Sequence, residues 1–425
     1  MIACGLCRDG ASSLASVNPS VNFSKSLVIL FLAGCAASSY SDDMNSPFES
    51  DFRKAQRSHR LIVYRPLLSE RTDLHLLTGT ASIELDAELI QVEPLPNSLR
   101  ETSRKVRWHA RAGELSSYAG DRRARAVWYP PLESQTVELE VEAWTRVEPR
   151  EPSSGAQAQT IYHRRTFRFL PPLSSIVLSG GRIDGYEIGL YPDPADPTLQ
   201  ERFKIESRWH ELHPERYRMP EGFYKVDAEN RDLRISPHLS LGQFAIDYPW
   251  GSLGMPQYIA LDMNLVNKLE DLIELMEIEG GYEITTLTPI YGFRPPSFNL
   301  GSIESNPDTN LKVPFSMHQY GRALDFIIDE DGDLVMDDLN GDGVHDMHDA
   351  AEIMHYVNIL DRKYRAQERW GMVGGAGLYD RHDFGARPQT SYVHVDTRGF
   401  LRENGTLVRW PRQWPDGAEI KWGEM

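Results

Sequence analysis

Two stretches decide the fold of the C-terminal half: Ser316-Met317-His318-Gln319-Tyr320-Gly321-Arg322-Ala323-Leu324-Asp325 and Tyr392-Val393-His394-Val395-Asp396. Two imidazoles and one carboxylate form a ligand set that suits a catalytic zinc ion, which keeps a fourth position for water. Gly321 and Ala323 leave room for the turn of His318 and the strand of Asp325 to converge. The sequence therefore predicts a zinc site at His318, Asp325 and His394, whose net positive charge would acidify a bound water.

Regular elements are predicted around these stretches. An amphipathic helix is expected over residues 261–278, because apolar residues recur there at spacings of three and four, and Gly280 and Gly281 would end it. The β-rich segment 282–289 leads to Arg294, and a Gly-x-Gly-x-Tyr sequence precedes the strand of the last ligand. This order predicts a mixed α+β domain.

The order of helix, strand with Arg, S-x-H-x-x-G-x-A-x-D, G-x-G-x-Y and H-x-D resembles the D-alanyl-D-alanine carboxypeptidase and L,D-endopeptidase-like zinc metallopeptidases, which are related to the hedgehog signalling domain. The resemblance covers residues 236–411. It implies a peptidoglycan stem peptide as substrate. By this resemblance, His318, Asp325 and His394 would be the zinc ligands. Arg294 would bind the substrate carboxylate or the oxyanion, and Ser316 would donate or accept a hydrogen bond that supports these residues.

The proton-transfer residue departs from the family pattern. Many relatives have Glu or Asp three residues before the last ligand, where this chain has Ser391. Asp396, two residues after His394, is the candidate catalytic acid or base. Its alternative role is to accept a hydrogen bond from His394 and orient that ring. His382 and Asp383, in the preceding loop, are further candidates.

An acidic segment between the zinc stretches predicts a calcium loop. Residues 338–349 place oxygen ligands at positions 1, 3, 5, 9 and 12 and Gly343 at position 6, as in EF-hand and dockerin-type loops. The predicted ligands are the side chains of Asp338, Asn340, Asp342, Asp346 and Asp349 and the carbonyl group of Val344. Asp349 replaces the usual bidentate glutamate, which indicates a weak site suited to extracellular calcium.

Calcium is expected to order this loop and brace the zinc site, with no part in the chemistry. Upstream, Asp329, Asp331 and Asp333 repeat the spacing and would share or add an ion. The simpler alternative is a solvated acidic loop. An exiting helix is expected over residues 350–367, and we assign no site to the histidines at 345, 348 and 355.

The N-terminal segment has the pattern of an export signal. Lys25 precedes the apolar run 27–32, which is too short to span a bilayer as a mature helix. The run ends in Leu32-Ala33-Gly34-Cys35, which resembles the bacterial lipobox, so Cys35 is the predicted lipidation site. The alternative is an ordinary secretory signal that contains a cysteine. Residues 36–58 are predicted to be a flexible tether.

Residues 59–172 are predicted to form an all-β sandwich, because short alternating segments are separated by Pro, Gly and polar clusters. Trp108, Trp128 and Trp144 on successive strands resemble the pattern of bacterial immunoglobulin-like domains. We expect these tryptophans in the core, with carbohydrate stacking as the alternative. The mature chain would keep only Cys35 and form no internal disulfide.

Composition limits the partners and the number of domains. The chain has 425 residues with 45 basic and 62 acidic side chains, a formal net charge of -17, which argues against nucleic acid or anionic membrane headgroups as the main partner. The predicted architecture is multidomain. It comprises the immunoglobulin-like sandwich, a small β bridge (173–235), the α+β zinc peptidase domain (236–411) with its calcium insert (329–349), and a tail (412–425).

The sequence thus predicts a lipid-anchored protein of the bacterial envelope, periplasmic or on the cell surface. Its expected activity is zinc-dependent hydrolysis of stem-peptide amides, as a carboxypeptidase or an endopeptidase. One alternative is a zinc-containing module that binds the wall without catalysis. The other is a calcium-stabilised adhesion or scaffold protein.

Overall fold

The described part of the chain is mostly β-sheet with few helices. The computed structural model describes residues 47–64, 72–78, 82–151, 157–193, 195–198, 201, 208–245, 254, 256–305, 314–382 and 390–422. The predicted signal segment and Cys35 lie outside these residues. Among the described helices, none combines the length and the apolar character needed to cross a membrane.

The N-terminal half is a sandwich of two sheets. Its strands are β1 (His59–Val63), β2 (His75–Leu76), β3 (Ile83–Gln91), β4 (Leu99–Ala110), β5 (Glu114–Tyr118), β6 (Arg123–Tyr129), β7 (Val137–Pro149) and β8 (Gln159–Leu170). The strand orders are β1-β3-β6-β5 and β2-β8-β7-β4. Trp108 and Trp128 are buried between the sheets, as predicted. The core position predicted for Trp144 is wrong, because the buried residues of β7 are the odd-numbered ones and Trp144 lies on the outer face.

A helix occupies part of the predicted tether. Helix α1 (Pro47–Arg57) packs on the sandwich and buries Phe52 and Ala55, which lie three residues apart on one helix face. The prediction of a flexible tether over residues 36–58 is therefore wrong for residues 47–57.

The predicted bridge over residues 173–235 joins the C-terminal core. It contributes to two small sheets, ordered β13-β12-β9 and β10-β11. Their strands are β9 (Leu173–Ser174), β10 (Arg182–Ile183), β11 (Tyr186–Glu187), β12 (Gly222–Val226) and β13 (Gln257–Ile259). Ile183 and Phe223 are buried in the same cluster as the residues of the five-stranded sheet described next. This segment is therefore part of the C-terminal body.

A five-stranded sheet organises the C-terminal body, in the order β14-β15-β17-β16-β18. Its strands are β14 (Thr288–Tyr291), β15 (Ala323–Ile327), β16 (Gly375–His382), β17 (Thr390–Asp396) and β18 (Val408–Trp410). The α-helices are α2 (Trp209–Leu212), α3 (Met263–Leu275), α4 (Pro296–Ser305) and α5 (Met347–Ala366). Shorter 3-10 turns cover Ser175–Val177, Pro214–Arg216, Leu241–Phe244, Met317–Tyr320 and Trp370–Met372.

Helices α3 and α5 cover one face of this sheet. Leu324 and Phe326 of β15 and Val393 and Val395 of β17 are buried against them. The predicted amphipathic helix is confirmed as α3, which continues as a π-helical turn and ends at Gly281 in a left-handed conformation. The side chains that alternate with these residues along β15 and β17, among them Asp325 and His394, project from the other face of the sheet.

Candidate metal centre

The face of the five-stranded sheet opposite α3 and α5 carries the predicted zinc ligands. Asp325 of β15 and His394 of β17 are direct register partners, so their side chains project from the same face. Tyr291 of β14 lies opposite Asp325, and Gly377 of β16 lies opposite His394. The sheet register therefore places two of the predicted ligands side by side.

Three donor atoms converge at this point. His318 Nε2 lies 3.2 Å from Asp325 Oδ1 and 3.2 Å from His394 Nδ1, and His394 Nδ1 lies 2.6 Å from Asp325 Oδ1. All three side chains are buried. Donors bound to tetrahedral zinc at about 2.0–2.1 Å are roughly 3.3 Å apart. Two separations already fit a zinc ion, and the third would have to widen by ~0.7 Å.

The turn before β15 presents His318. The 3-10 turn Met317–Tyr320 ends at Gly321, which has φ 65°. A Cβ atom at residue 321 would lie 2.2 Å from the carbonyl oxygen of Ala260, so the turn can approach this backbone only because residue 321 is glycine. His318 Nδ1 donates to the carbonyl oxygen of Gly292 at 2.7 Å. This bond leaves the Nε2 lone pair available to a metal.

A carboxylate fixes the second imidazole. His394 Nε2 donates to Asp396 Oδ2 at 3.1 Å, which leaves Nδ1 directed at the other ligands. Asp396 Oδ1 also accepts hydrogen bonds from the backbone N–H groups of Gly375 (2.6 Å) and Arg398 (3.1 Å). The guanidinium group of Arg398 donates to both carboxylate oxygens. The carboxylate of Asp396 is therefore fully engaged behind the ring of His394.

Arg398 is a residue of the site that the sequence analysis missed. Its guanidinium carbon lies 5.1 Å from the ring centroid of Trp209, 5.7 Å from that of Phe400 and 5.5 Å from that of Trp410. These rings enclose the cation, and Asp396 neutralises it. The two-residue spacing from Asp396 is a signal that was available in the sequence.

Aromatic side chains form a wall beside the ligands. The ring centroids of Trp410 and His394 are 5.0 Å apart, and Trp410 Nε1 donates to Tyr379 Oη at 3.0 Å. Tyr379 stacks on Tyr392 with centroids 4.6 Å apart. A Cβ atom at Gly377 would lie 2.2 Å from the Trp410 ring. The Gly-x-Gly-x-Tyr stretch therefore provides both the space for Trp410 and one side chain of the wall.

Arg294 enters the site from the segment after β14. Its Nη2 donates to Ser316 Oγ at 3.1 Å, and its guanidinium carbon lies 5.6 Å from the ring centroid of Tyr291. The side chain is buried, and its Nε has no hydrogen-bond partner among the described residues. A buried donor without a partner is costly. This nitrogen is suited to bind an anionic group of a ligand.

Burial and charge set the protonation of the ligands. Burial, together with the charge of Arg294, lowers the pKa of His318 to about 4. Burial opposes the ionisation of Asp325, but the two imidazoles outweigh it and hold the pKa of Asp325 well below its usual range. Burial alone would lower the pKa of His394, but Asp325 and Asp396 raise it. A metal would therefore compete with a proton at His394.

Ser391 stands at the position where many of the zinc metallopeptidases that the sequence resembles have an acidic residue. Ser391 lies three residues before His394 on β17, so its side chain projects from the opposite face of the sheet. Its Oγ is buried without a partner among the described residues. Asp396 is held behind the His394 ring, which favours the orienting role over proton transfer. Asp383 lies outside the described residues.

The six predicted calcium ligands lie in one loop that leads into α5. Its side chains accept hydrogen bonds from the loop backbone: Asp338 from Asp342 (3.0 Å) and Gly343 (2.7 Å), Asn340 from Asp342 (2.8 Å), Asp342 from Val344 (2.8 Å), and Asp349 from Leu339 (2.9 Å) and Asp346 (2.8 Å). Gly343 has φ 81°, and Asp346 caps α5. Burial raises the pKa of Asp349. The backbone has the turn expected of a calcium loop, and the ion stays a prediction.

The nine residues before this loop repeat its sequence. Residues 329–337 have the pattern D-x-D-G-D-x-V-x-D, and residues 338–346 have D-x-N-G-D-x-V-x-D. The carboxylates of Asp329, Asp331 and Asp333 lie within 4.8 Å of one another. Leu334, at the sixth position of the repeat, has φ 67° and matches the left-handed glycine of the second loop.

Two backbone N–H groups of the acidic insert donate hydrogen bonds to residues at the ends of the strands that carry Asp325 and His394. The N–H group of Met336 donates to Thr390 Oγ1 at 2.9 Å, and Thr390 begins the strand of His394. The N–H group of Asp337 donates to the carbonyl oxygen of Ile328 at 2.9 Å, directly after the strand of Asp325. The insert therefore contacts both ligand-bearing strands.

The remaining histidines and the tail serve other contacts. His345 Nδ1 donates to a backbone carbonyl at 2.8 Å, and His348 stacks on Trp414 with centroids 4.6 Å apart. Within the described ranges, these histidines and His355 are not brought together as a metal-binding group. Trp414 and Trp422 of the tail pack on the C-terminal core.

Comparison with known proteins gives no family for this chain. No family model matches it, and no curated protein matches it. Among solved structures, it matches a conjugative transposon lipoprotein from Bacteroides eggerthii at 12% identity, over 26% of this chain and 96% of that chain. The TM-score of 0.15 is too low to indicate a common fold.

Proposed function

We propose that this chain is a zinc-dependent peptidase that hydrolyses amide bonds in peptidoglycan stem peptides. The observation that carries the proposal is the convergence of three buried donors, His318 Nε2, Asp325 Oδ1 and His394 Nδ1, within 3.2 Å of one another. The other nitrogen of each imidazole is held by a carbonyl or a carboxylate. Such outer partners fix the tautomers that a metal requires.

The donor set fits zinc in type and number, with three protein ligands and one position left for water. A zinc ion held there would supply Lewis-acid activation of a water molecule and of an amide carbonyl. Asp396 and Arg398 hold His394 in the orientation that the metal needs. Arg294 would bind the carboxylate of a stem peptide or the developing oxyanion through its unpartnered Nε.

The aromatic wall supports the same proposal. Tyr379, Tyr392 and Trp410 stand beside the ligands and restrict the access of bulk water, which strengthens electrostatic interactions in the site. The resemblance to stem-peptide peptidases supports the same choice of substrate.

We also propose calcium binding in the acidic insert. Burial raises the pKa of Asp329, Asp337 and Asp349, and neighbouring carboxylates add to the effect in each case. A divalent cation would neutralise this crowding. Through Met336 and Thr390 it would also brace the strand of His394.

Export and lipidation at Cys35 complete the proposal. A lipid anchor would tether the chain in the cell envelope, in the periplasm or at the cell surface, where its substrate and millimolar calcium are found.

The test uses purified full-length chain and muropeptides, with zinc and with a chelator. We expect a new amine or free D-alanine that disappears with the chelator and with His318→Ala. The matched control is His355→Ala, an exposed histidine on α5 that should leave activity unchanged. Absence of product under every metal condition would refute the peptidase.

A zinc-containing module that binds the wall without cutting it is the second candidate. The observation that favours it is Ser391, which faces away from the ligands at the position where relatives have an acid. This candidate predicts muropeptide binding that depends on zinc and yields no product.

A further inference from the structure

The outer face of the second sandwich sheet carries a group of aromatic and cationic side chains, all exposed except the half-buried Trp144. We call it the basic face, and its members are Lys105, Arg107, Trp144, Arg146, Tyr162 and Arg164. The sheet register places Lys105, Trp144 and Tyr162 in one row across β4, β7 and β8. Tyr162 is 71% exposed, although a tyrosine in a sheet usually packs on its neighbours.

The row next to these aromatic residues is cationic. Arg107 and Arg164 flank Glu142, with Nη2–Oε distances of 3.2 and 2.6 Å, and their side chains are still 50% and 64% exposed. The guanidinium carbon of Arg107 also lies 5.2 Å from the Trp144 ring centroid. One carboxylate thus orients two guanidinium groups and leaves much of each open to solvent.

The charge of the basic face is opposite to that of the whole chain. Four cations lie on it, and the neighbouring Glu140 and Glu142 leave a local excess of two positive charges on a chain whose net charge is -17. This local excess of positive charge favours an anionic ligand.

The side-chain types specify the ligand further. Trp, Tyr and Arg are the residues that contribute most to binding surfaces. The exposed ring of Tyr162 suits the C–H face of a pyranose sugar, and exposed guanidinium groups suit carboxylates through paired hydrogen bonds. The strong negative charge of the rest of the chain opposes densely charged partners such as nucleic acid or an anionic bilayer. We propose that the basic face is a docking surface for a carboxylate-bearing polysaccharide.

This surface lies on the sandwich and does not rest on the proposed peptidase activity. The experiment is calorimetric titration of the full chain with oligogalacturonate, with neutral dextran oligosaccharides and with vesicles of anionic phospholipid. We expect oligogalacturonate to bind and dextran to bind at least tenfold more weakly. Salt should weaken the binding, because guanidinium–carboxylate contacts are screened.

The variants separate stacking from charge. Tyr162→Ala, which removes an exposed ring and so spares the fold, should raise the Kd by about tenfold. Arg107→Gln combined with Arg164→Gln should do the same. The matched controls are Tyr129→Ala, an aromatic residue 50% exposed on the other sheet, and Arg100→Gln, which pairs with Glu148 at 2.7 Å on the same face. Both controls should bind as the parent chain does.

Three outcomes would overturn the proposal: no binding of oligogalacturonate, equal binding by the Tyr162 variant, or tighter binding of the vesicles than of the sugar. His318→Ala, measured in parallel, should bind oligogalacturonate unchanged. Loss of muropeptide hydrolysis with unchanged oligogalacturonate binding in this variant would show that the two proposals are tested independently.

Discussion

Replacing Asp396 with Asn tests the arrangement behind His394. The variant keeps the shape of the side chain and removes its charge, which now neutralises Arg398 in a buried setting. Breaking a buried ion pair by removing one partner costs about 3–5 kcal/mol, so we expect the free energy of unfolding to fall by that amount. Loss of the partner that orients a metal-bound histidine costs about 10–100-fold in metal affinity, or roughly 1.4–2.8 kcal/mol.

Two assays measure these effects. Urea unfolding of the metal-free chain gives the change in stability, and competition with a zinc chelator gives the change in affinity. The double variant Asp396→Asn with Arg398→Met removes the unpaired charge as well. It should recover stability and should not recover zinc affinity. Unchanged zinc affinity in Asp396→Asn, combined with complete loss of hydrolysis, would refute the orienting role and assign Asp396 to proton transfer.

Three further predictions concern backbone, calcium and pH. Gly321→Ala should lower the free energy of unfolding by more than about 2 kcal/mol. The left-handed conformation alone costs an alanine about 1–2 kcal/mol, and the new Cβ atom would lie 2.2 Å from the carbonyl oxygen of Ala260. The control in the same urea assay is Gly301→Ala, because there is open space around residue 301. Millimolar calcium should raise the Tm of the parent chain and not that of Asp342→Asn, and an equal rise in both would contradict the loop assignment. Burial raises the pKa of Tyr379 to about 12, whereas an unfolded tyrosine titrates near pH 10. As the pH rises, Tyr379 therefore loses its hydroxyl proton in the unfolded state before it does so in the folded state. The free energy of unfolding should fall as the pH rises above about 10. Unfolding at a pH below that at which tyrosinate absorbance appears would contradict this prediction.

The convergence of His318, Asp325 and His394 could be predicted because coordination chemistry restricts the residue types and because each motif is local in sequence. His318 and Asp325 are separated by one turn and a glycine, and their convergence follows from that geometry. The enclosure of Arg398 could not be predicted in the same way. It depends on Trp209, which lies far away in the chain and reaches the site only through tertiary packing.

The errors in the N-terminal half have different causes. The sequence of β7 already indicated that Trp144 lies on the outer face. The apolar residues Val137, Leu139 and Val141 occupy odd-numbered positions, and side chains at even-numbered positions project from the other face of the strand. Helix α1 was missed because its polar composition favoured a tether, and only Phe52 and Ala55 indicated an apolar side.

The small sheet of residues 173–235 pairs segments that are distant in sequence, so no local pattern could reveal it.

The acidic insert separates Asp325 from His394 along the chain, and it donates hydrogen bonds to the residue that follows the strand of Asp325 and to the first residue of the strand of His394. If each cation stabilises the arrangement that the other needs, the two sites are thermodynamically linked, and linkage is reciprocal. Whatever factor calcium adds to the affinity for zinc, zinc must then add to the affinity for calcium. The metal centre would then be complete only where both ions are available.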